Sequence, residues 1–417
     1  MQTSVVAESP GGAGQPNNEP TDVDTSAEKI GVSSYRQCVR CVLDTEDRAN
    51  ITFDAEGLCI YCRQFDRMHA VLPILPEDRV AIFRSKIDHI KRRGKRNAYD
   101  CILGVSGGVD SSYLAYLAKR EGLRPLVVHF DNGWNSELAV RNIQTLVEKL
   151  GLDLHTYVIN WPEFRELQLA YMRASVIDIE VLTDHAIYGA LLRLAIEKNI
   201  QFVLSGNNLA TEGVLPYAWT FDKLDAINIR DIHRKFGQGT VKTYPFLDRK
   251  TKKRIRDSGI EIVTLLDYVP YVNSDVKQLL VDDLGWRDYG GKHYESIFTR
   301  FYQGYILPTK FGVDKRKAHL SSLICSGQMT REDAIIELQS PGYDETQFRQ
   351  DRDFVLKKLG LTQQAFDELM SLPVCDHRAF RVEGSFFHYY PGFLPLRPAW
   401  NGMKKILRKL RLYTRSA

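Results

Sequence analysis

The chain has 417 residues, 44% of them hydrophobic, and a net charge of +4 from 56 Lys plus Arg against 52 Asp plus Glu. That length accommodates two or three folding units and a large core, while so small a charge excess gives no general affinity for nucleic acid. No stretch approaches the roughly 18 uninterrupted apolar residues of a membrane span, and no apolar core follows a basic start, so the expectation is a cytoplasmic protein.

In chain order, residues 1–33 are rich in Gly, Pro, Ser, Asn and Asp and read as a disordered extension. Residues 34–66 hold two Cys-x-x-Cys pairs, and 67–97 read as a charged helical connector. From 98 to 345 short apolar runs alternate with helical patterns, with strands expected at about 101–105, 125–130, 154–159, 201–205 and 261–266. This alternation predicts an α/β, Rossmann-like parallel sheet covered by helices, with ligands at the C-terminal ends of the strands. Residues 346–417 read as helical, then irregular through the aromatic, Pro-rich stretch 386–400, with no internal repeat.

The seven cysteines point to metal binding in a reducing compartment rather than to a disulfide framework. Cys38-x-x-Cys41 and Cys59-x-x-Cys62 are 17 residues apart, the spacing of a zinc ribbon with structural Zn²⁺ held by four thiolates. A redox pair or an iron–sulfur cluster would use the same residues.

The first strand runs into Ser106-Gly107-Gly108-Val109-Asp110-Ser111-Ser112. Neither the Walker Gly-Lys-Ser/Thr ending nor G-x-G-x-x-G spacing is present. Glycines let the backbone approach a phosphate, while Ser106, Ser111, Ser112 and the following helix N-terminus supply donors. Asp110 suits Mg²⁺ rather than phosphate. A plain turn with a capped helix would need the same letters. The segment resembles the PP-loop of the N-type ATP pyrophosphatases, which cleave ATP between the α and β phosphates.

After the fourth strand, Ser205-Gly206-Asn207-Asn208-Leu209-Ala210-Thr211-Glu212 resembles the NAD synthetase segment whose final acid binds the same Mg²⁺, which implies Glu212 as partner of Asp110. By the same resemblance Gly206 and Asn207 border the ATP, and Asp131-Asn132-Gly133 lies where this fold recognises adenosine, although a turn explains that tripeptide almost as well.

Over roughly residues 35–375 the chain resembles the N-acetyl sugar amidotransferases of bacterial surface-polysaccharide biosynthesis, in segments such as CVRCVLDT, FDAEGLCIYC, GVSGGVDSSYLA, FDNGWNSELAV, LSGNNLATEG and YGGKHYESIFTRFYQGYILPTKFGVDKRKAHLSSLICSGQMTREDA. The resemblance implies an adenine nucleotide alpha hydrolase-like fold. It also implies that ATP adenylates the oxygen of a sugar N-acetyl group, and that ammonia then displaces AMP to give an acetamidino group. The acceptor would be a nucleotide-linked or otherwise activated sugar of lipopolysaccharide O-antigen synthesis. No Gly-x-Cys-x-Gly glutaminase elbow is present, which implies a separate glutaminase subunit. tRNA thiolases also join this loop to a cysteine ribbon, but only Cys101, Cys325 and Cys375 remain for sulfur chemistry; a nucleotide-binding regulatory module would need no second site.

For charge developing on the phosphates the candidates are Lys310, Lys315 and Arg316, and for the acceptor Lys292, His293, Glu295 and Arg300. A solvated basic helix start explains the first group nearly as well. Asp184, His185, Lys223, Asp225 and His233 are candidates for sugar hydroxyls or ammonia, with capping and core roles as alternatives. In the tail, Met403, Ile406, Leu407 and Leu410 share a helical face among cations, which suits either docking on its own domain or peripheral contact with an anionic membrane. No nucleic-acid partner is expected.

Overall fold

The computed structural model describes residues 35–73, 75–291 and 294–383. The expectations for 1–33, 386–400, the basic tail, Lys292 and His293 lie outside the described residues. Among those described, no helix is long and apolar enough to cross a membrane.

A cysteine module leads into α1 (Ile60–Ala70) and α2 (Pro76–Gly94). Pro76 opens α2, acids follow in its first turn and Lys91, Arg92 and Arg93 close it, as the helix dipole favours. Then come β1 (Cys101–Val105), α3 (Val109–Arg120), β2 (Pro125–Asp131), α4 (Glu137–Leu150), β3 (Asp153–Val158), α5 (Trp161–Ala174), α6 (Val181–Glu197) and β4 (Phe202–Ser205). The connection from β4 holds α7 (Leu209–Glu212), α8 (Ala226–Phe236) and α9 (Arg249–Asp257) before β5 (Glu261–Thr264) and α10 (Asn273–Leu284).

The strands form one parallel sheet in the order β3-β2-β1-β4-β5. β1 and β2 are apolar almost throughout because both faces are covered. On one side Leu103 and Val105 pack with Leu114 and Leu117 of α3, Ile143 of α4 and Leu280 of α10. On the other, Ile102 and Val128 meet Leu191, Leu192 and Ala195 of α6. β3 is the edge and leaves Leu154 and Val158 exposed. The chain reverses its winding direction between β1 and β4, so their C-terminal ends open a crevice, the expected ligand position in such sheets.

Helices α11 (Ile297–Phe301), α12 (Arg316–Cys325), α13 (Arg331–Gln339), α14 (Glu345–Leu359) and α15 (Gln363–Ser371) follow among the described residues, with Tyr302–Phe311 continuing α11 in π-helical turns around Pro308. The helical unit therefore starts near 297, earlier than the expected 346. The cause is aromatic packing: Phe301 meets Phe348 and Phe366, binding this segment to α14 and α15.

Candidate functional site

The loop after β1 is shaped by its glycines. Gly107 has φ +84°, and a Cβ there would stand 2.6 Å from the Ala139 carbonyl oxygen, so both conformation and space demand glycine. Its carbonyl accepts from Trp286 Nε1 at 2.9 Å. Helix α3 starts at Gly108 without a side-chain cap, the arrangement that suits an anion at a helix N-terminus, and the Val109 N–H meets the Tyr289 hydroxyl. The Ser106 hydroxyl accepts from Gly108 N–H at 3.2 Å and lies 3.4 Å from Ser111 Oγ. Ser112 departs from expectation: it is wholly buried and its Oγ has no protein partner, so it packs beneath the loop instead of facing a ligand.

Asp110 stands in the first turn of α3. Its Oδ1 accepts from Asn208 Nδ2 at 3.1 Å and from the Tyr271 hydroxyl. Burial first, then the charges of Asp110 and Glu212, push that hydroxyl's pKa up, so it stays a proton donor and feels both carboxylates. Asn208 also caps α7, accepting from Thr211 N–H at 2.9 Å, which fixes the short helix ending in Glu212. An added Cβ on Gly206 would lie 3.4 Å from Ser111 N, so the β4 loop rests on the start of α3. Asn207 donates its N–H to Ser205 Oγ at 3.3 Å. Two carboxylates beside uncapped N–H groups form the oxygen-rich donor set that Mg²⁺ and phosphates require.

Asp131 and Asn132 sit at the end of β2, and their side chains build the turn. Asp131 Oδ1 accepts from Gly133 N–H (2.8 Å) and Asn135 Nδ2 (3.2 Å), while Asn132 Oδ1 accepts from Trp134 N–H at 3.1 Å. Against this turn lies the segment before α11: Ser136 N–H donates to Glu295 O at 2.8 Å and Ile297 N–H to Trp134 O at 2.8 Å. Glu295 thereby reaches the nucleotide loop, its Oε1 3.5 Å and the Tyr289 hydroxyl 3.0 Å from where a Gly108 Cβ would be.

Four basic expectations meet specific partners. Lys310 Nζ donates to the carbonyls of Leu369 (2.8 Å), Met370 (3.0 Å) and Leu372 (2.8 Å), so it closes the end of α15 instead of serving phosphate. Arg316 chelates Asp314 and bonds Ser340 O at 2.9 Å. Arg300 is consumed by a fork on Asp351 at 2.5 and 2.8 Å. In each case neighbouring acceptors already fill the cation's donors, and for Arg316 and Arg300 they are carboxylates. Lys315 instead faces the start of α6, 3.7 Å from Glu180.

Of the remaining candidates, His185 is a core residue: Nε2 accepts from Leu247 N–H (2.8 Å), Nδ1 donates to Lys223 O (2.9 Å), and burial lowers its pKa to about 4, which keeps it neutral. Asp225 caps α8, and His233 lies against Gly237 beyond the same helix. Lys223 and Asp184 form an ion pair at 3.1 Å. Asn208 and Tyr271 were not read from the sequence as site residues. An Asn followed three residues later by Thr is a cap signal that marks Asn208, whereas nothing near Tyr271 in the chain announces its contact.

In the cysteine module the four Sγ atoms lie within 4.8 Å of one another, with 3.8 Å between Cys38 and Cys62 and 3.6 Å between Cys41 and Cys59. Zn–S bonds of about 2.3 Å give tetrahedron edges of about 3.8 Å, so the cluster fits zinc. Backbone N–H groups of Cys41 and Cys59 point at Cys38 Sγ, as a thiolate favours. Cys325 packs against Cys62 at 3.7 Å, and burial pushes the Cys101 thiol up, which leaves Cys101 a poor nucleophile. The module docks on α12 and α13 through Lys317 with Asp44 (2.7 Å) and Asp47 (2.6 Å), and through Arg331 with Gln37 (2.6 Å). Helix α12 in turn braces α7, with Ser326 Oγ on Ala210 O at 2.9 Å and His319 Nδ1 on Thr211 O at 3.2 Å.

The parallel sheet, glycine loop and paired carboxylates define an ATP-using PP-loop domain, and residues 83–213 match the family described as NAD synthase. Residues 295–391 match LPS biosynthesis protein WbpG-like, C-terminal domain, starting inside the span first assigned to the ATP domain. The two together are consistent with a lipopolysaccharide-biosynthesis amidotransferase of the PP-loop superfamily. No curated protein matches the chain. Similar solved structures include NMN synthetase from Francisella tularensis, 16% identical over 61% of this chain and 94% of that one, TM-score 0.34. Another is NH3-dependent NAD synthetase from Campylobacter jejuni, 15% identical over 64% and 99%, TM-score 0.31.

Proposed function

We propose that this protein converts a sugar N-acetyl group into an acetamidino group at the expense of ATP, in the synthesis of lipopolysaccharide O-antigen in the bacterial cytoplasm. The observation that carries the reading is the junction at Glu295, where the WbpG-like segment lies directly on the nucleotide loop, so that acceptor-side and ATP-side elements share one crevice.

In this reading the N–H groups at the start of α3, with Ser106, Gly107, Gly108 and Ser111, hold the phosphates. Asp110 and Glu212 would hold Mg²⁺, which supplies neutralisation of charge on the leaving pyrophosphate. The Tyr271 and Asn208 donors aim Asp110. Asp131, Asn132, Gly206 and Asn207 border the nucleoside, Lys315 is the remaining cation of the basic segment, and Glu295 stands over the loop. The acetamido oxygen attacks the α phosphorus and pyrophosphate leaves; ammonia then adds to the imidate carbon and AMP departs with the oxygen. Ammonia comes from a separate glutaminase subunit. Four thiolates hold structural Zn²⁺.

The test is incubation with ATP, Mg²⁺, ammonium and a panel of nucleotide-linked diacetamido sugars, read by mass spectrometry. One sugar should gain the amidine mass with equimolar AMP and pyrophosphate, and acceptor oxygen-18 should appear in AMP. AMP formation that depends on tRNA and not on any sugar would sink the reading.

A further inference from the structure

Beside the crevice, a cluster of charges rises from the core to the surface. Side-chain exposure climbs from Asp178 (2%) through Glu180 (13%), Lys315 (20%) and Lys223 (25%) to Asp184 (41%). Lys223 Nζ bridges Asp178 at 2.7 Å and Asp184 at 3.1 Å. Asp178 is locked further by Thr220 Oγ1 (2.9 Å) and Phe221 N–H (2.8 Å), and Lys223 by the His185 bond to its carbonyl. Burial alone would raise Asp178, but Lys223 and Lys315 hold it down at about 2, so it is a permanent anion. Asp184 is different. Although open to solvent, its pKa is pushed up by burial, only partly offset by Lys223, with Glu180 and Asp178 adding to the rise. Asp184 is thus the solvent-facing end of the cluster, held 3.1 Å from Lys223.

The cluster adjoins the ATP site on two sides. Thr183, next to Asp184, accepts from Asn132 Nδ2 of the β2 turn at 3.5 Å. Tyr188, one turn along α6, bonds Asn207 and feels the charges of both Asp184 and Glu212. Asp184 thus stands between the nucleoside-side turn and the helix bearing Glu212. The remaining ionisable group that feels it is Tyr244.

We infer that Asp184, clamped by Lys223, is the catalytic proton acceptor for the nitrogen nucleophile; this rests on the amidotransferase reading. Ammonium has no lone pair. Asp184 takes one of its protons, the released ammonia forms the C–N bond at the adenylated imidate, and the C–O bond breaks to free AMP. The product is an amidinium, and the proton leaves through Asp184 to solvent. Burial raises this carboxylate's pKa, which makes it a stronger base than an ordinary aspartate.

The test uses the full-length protein as Asp184→Asn and Asp184→Glu, with the sugar nucleotide that supports wild-type AMP formation. Acceptor-dependent ATP–pyrophosphate exchange reports adenylation without nitrogen. Asp184→Asn should keep exchange within about twofold and lose about 10²-fold in kcat with ammonium at pH 7. The defect should shrink toward pH 9, where free ammonia grows, and with hydroxylamine, which is neutral at pH 7. Asp184→Glu should recover part of the ammonium rate. An unchanged ammonium rate in Asp184→Asn, or exchange and overall rate falling together, overturns the assignment. Absence of acceptor-dependent exchange in the wild type removes the amidotransferase reading itself, and the inference with it.

Discussion

The loop at residues 106–112 and the basic segment at 310–316 are both dense in chemistry-bearing side chains, yet they fold to opposite ends. In the loop, function resides in backbone geometry. Gly107 must be glycine, the start of α3 has no side-chain cap, and Asp110 is aimed by donors from Asn208 and Tyr271. In the basic segment, Lys310 and Arg316 each find acceptors close by, three carbonyls for one and Asp314 for the other. A cation is available to a ligand only where the fold has not already filled its donors. Lys315 differs from its neighbours because its nearest acid, Glu180, is 3.7 Å away and shared with Gln303.

The contrast can be broken or sharpened by experiment. Removing zinc should have the largest effect: the cysteine module depends on roughly 10–16 kcal/mol of apparent metal affinity. A strong chelator, or Cys59→Ser, should therefore abolish zinc content by atomic absorption and lower the melting temperature. Asp110→Asn comes next. It should cut AMP formation by about 10³-fold, about 4 kcal/mol, with the melting temperature little changed; an active variant would place the metal elsewhere. Arg300→Met strands the buried Asp351 and should destabilise by about 3 kcal/mol in denaturant unfolding, with KM for the acceptor unchanged in whatever folds.

A smaller effect concerns acid. Asp178 titrates at about 2 in the folded protein, below its ordinary value of 3.8, so its stabilisation is present above pH 3.8 and is lost as pH falls toward 2. On the order of 2 kcal/mol should vanish across that window, and Asp178→Asn should flatten the low-pH limb of the stability curve. Lys310→Met should be mildest, costing about 1 kcal/mol through the uncapped carbonyls of α15 and leaving kcat within about threefold of wild type. A hundredfold loss of kcat would restore the catalytic role first expected for this lysine.

What could be read from the chain follows the same division. The five strands fall within a residue or two of the expected positions, because continuous apolar runs bounded by Gly and polar clusters are local signals. The glycine loop was legible for the same reason, as were the four cysteines. The fate of the cations was not. Lys310, Arg300 and Lys317 are decided by residues 369–372, Asp351, and Asp44 with Asp47, none of them near in sequence. Glu295 reads as part of a polar acceptor segment, and only the pairing of Asn135 with Ser296 carries it onto Gly108. Helices already run from 297, ahead of the expected 346, because Phe301 chooses partners in α14 and α15 that no local pattern reveals.

Helix α12 touches the cysteine module with one flank and the support of Glu212 with the other. The cysteine module is thus joined through α12 to the short helix that ends in Glu212. Slow demetallation should therefore silence turnover early, while the far-ultraviolet signature of the sheet domain still reads native, giving inactivation and unfolding two separate clocks.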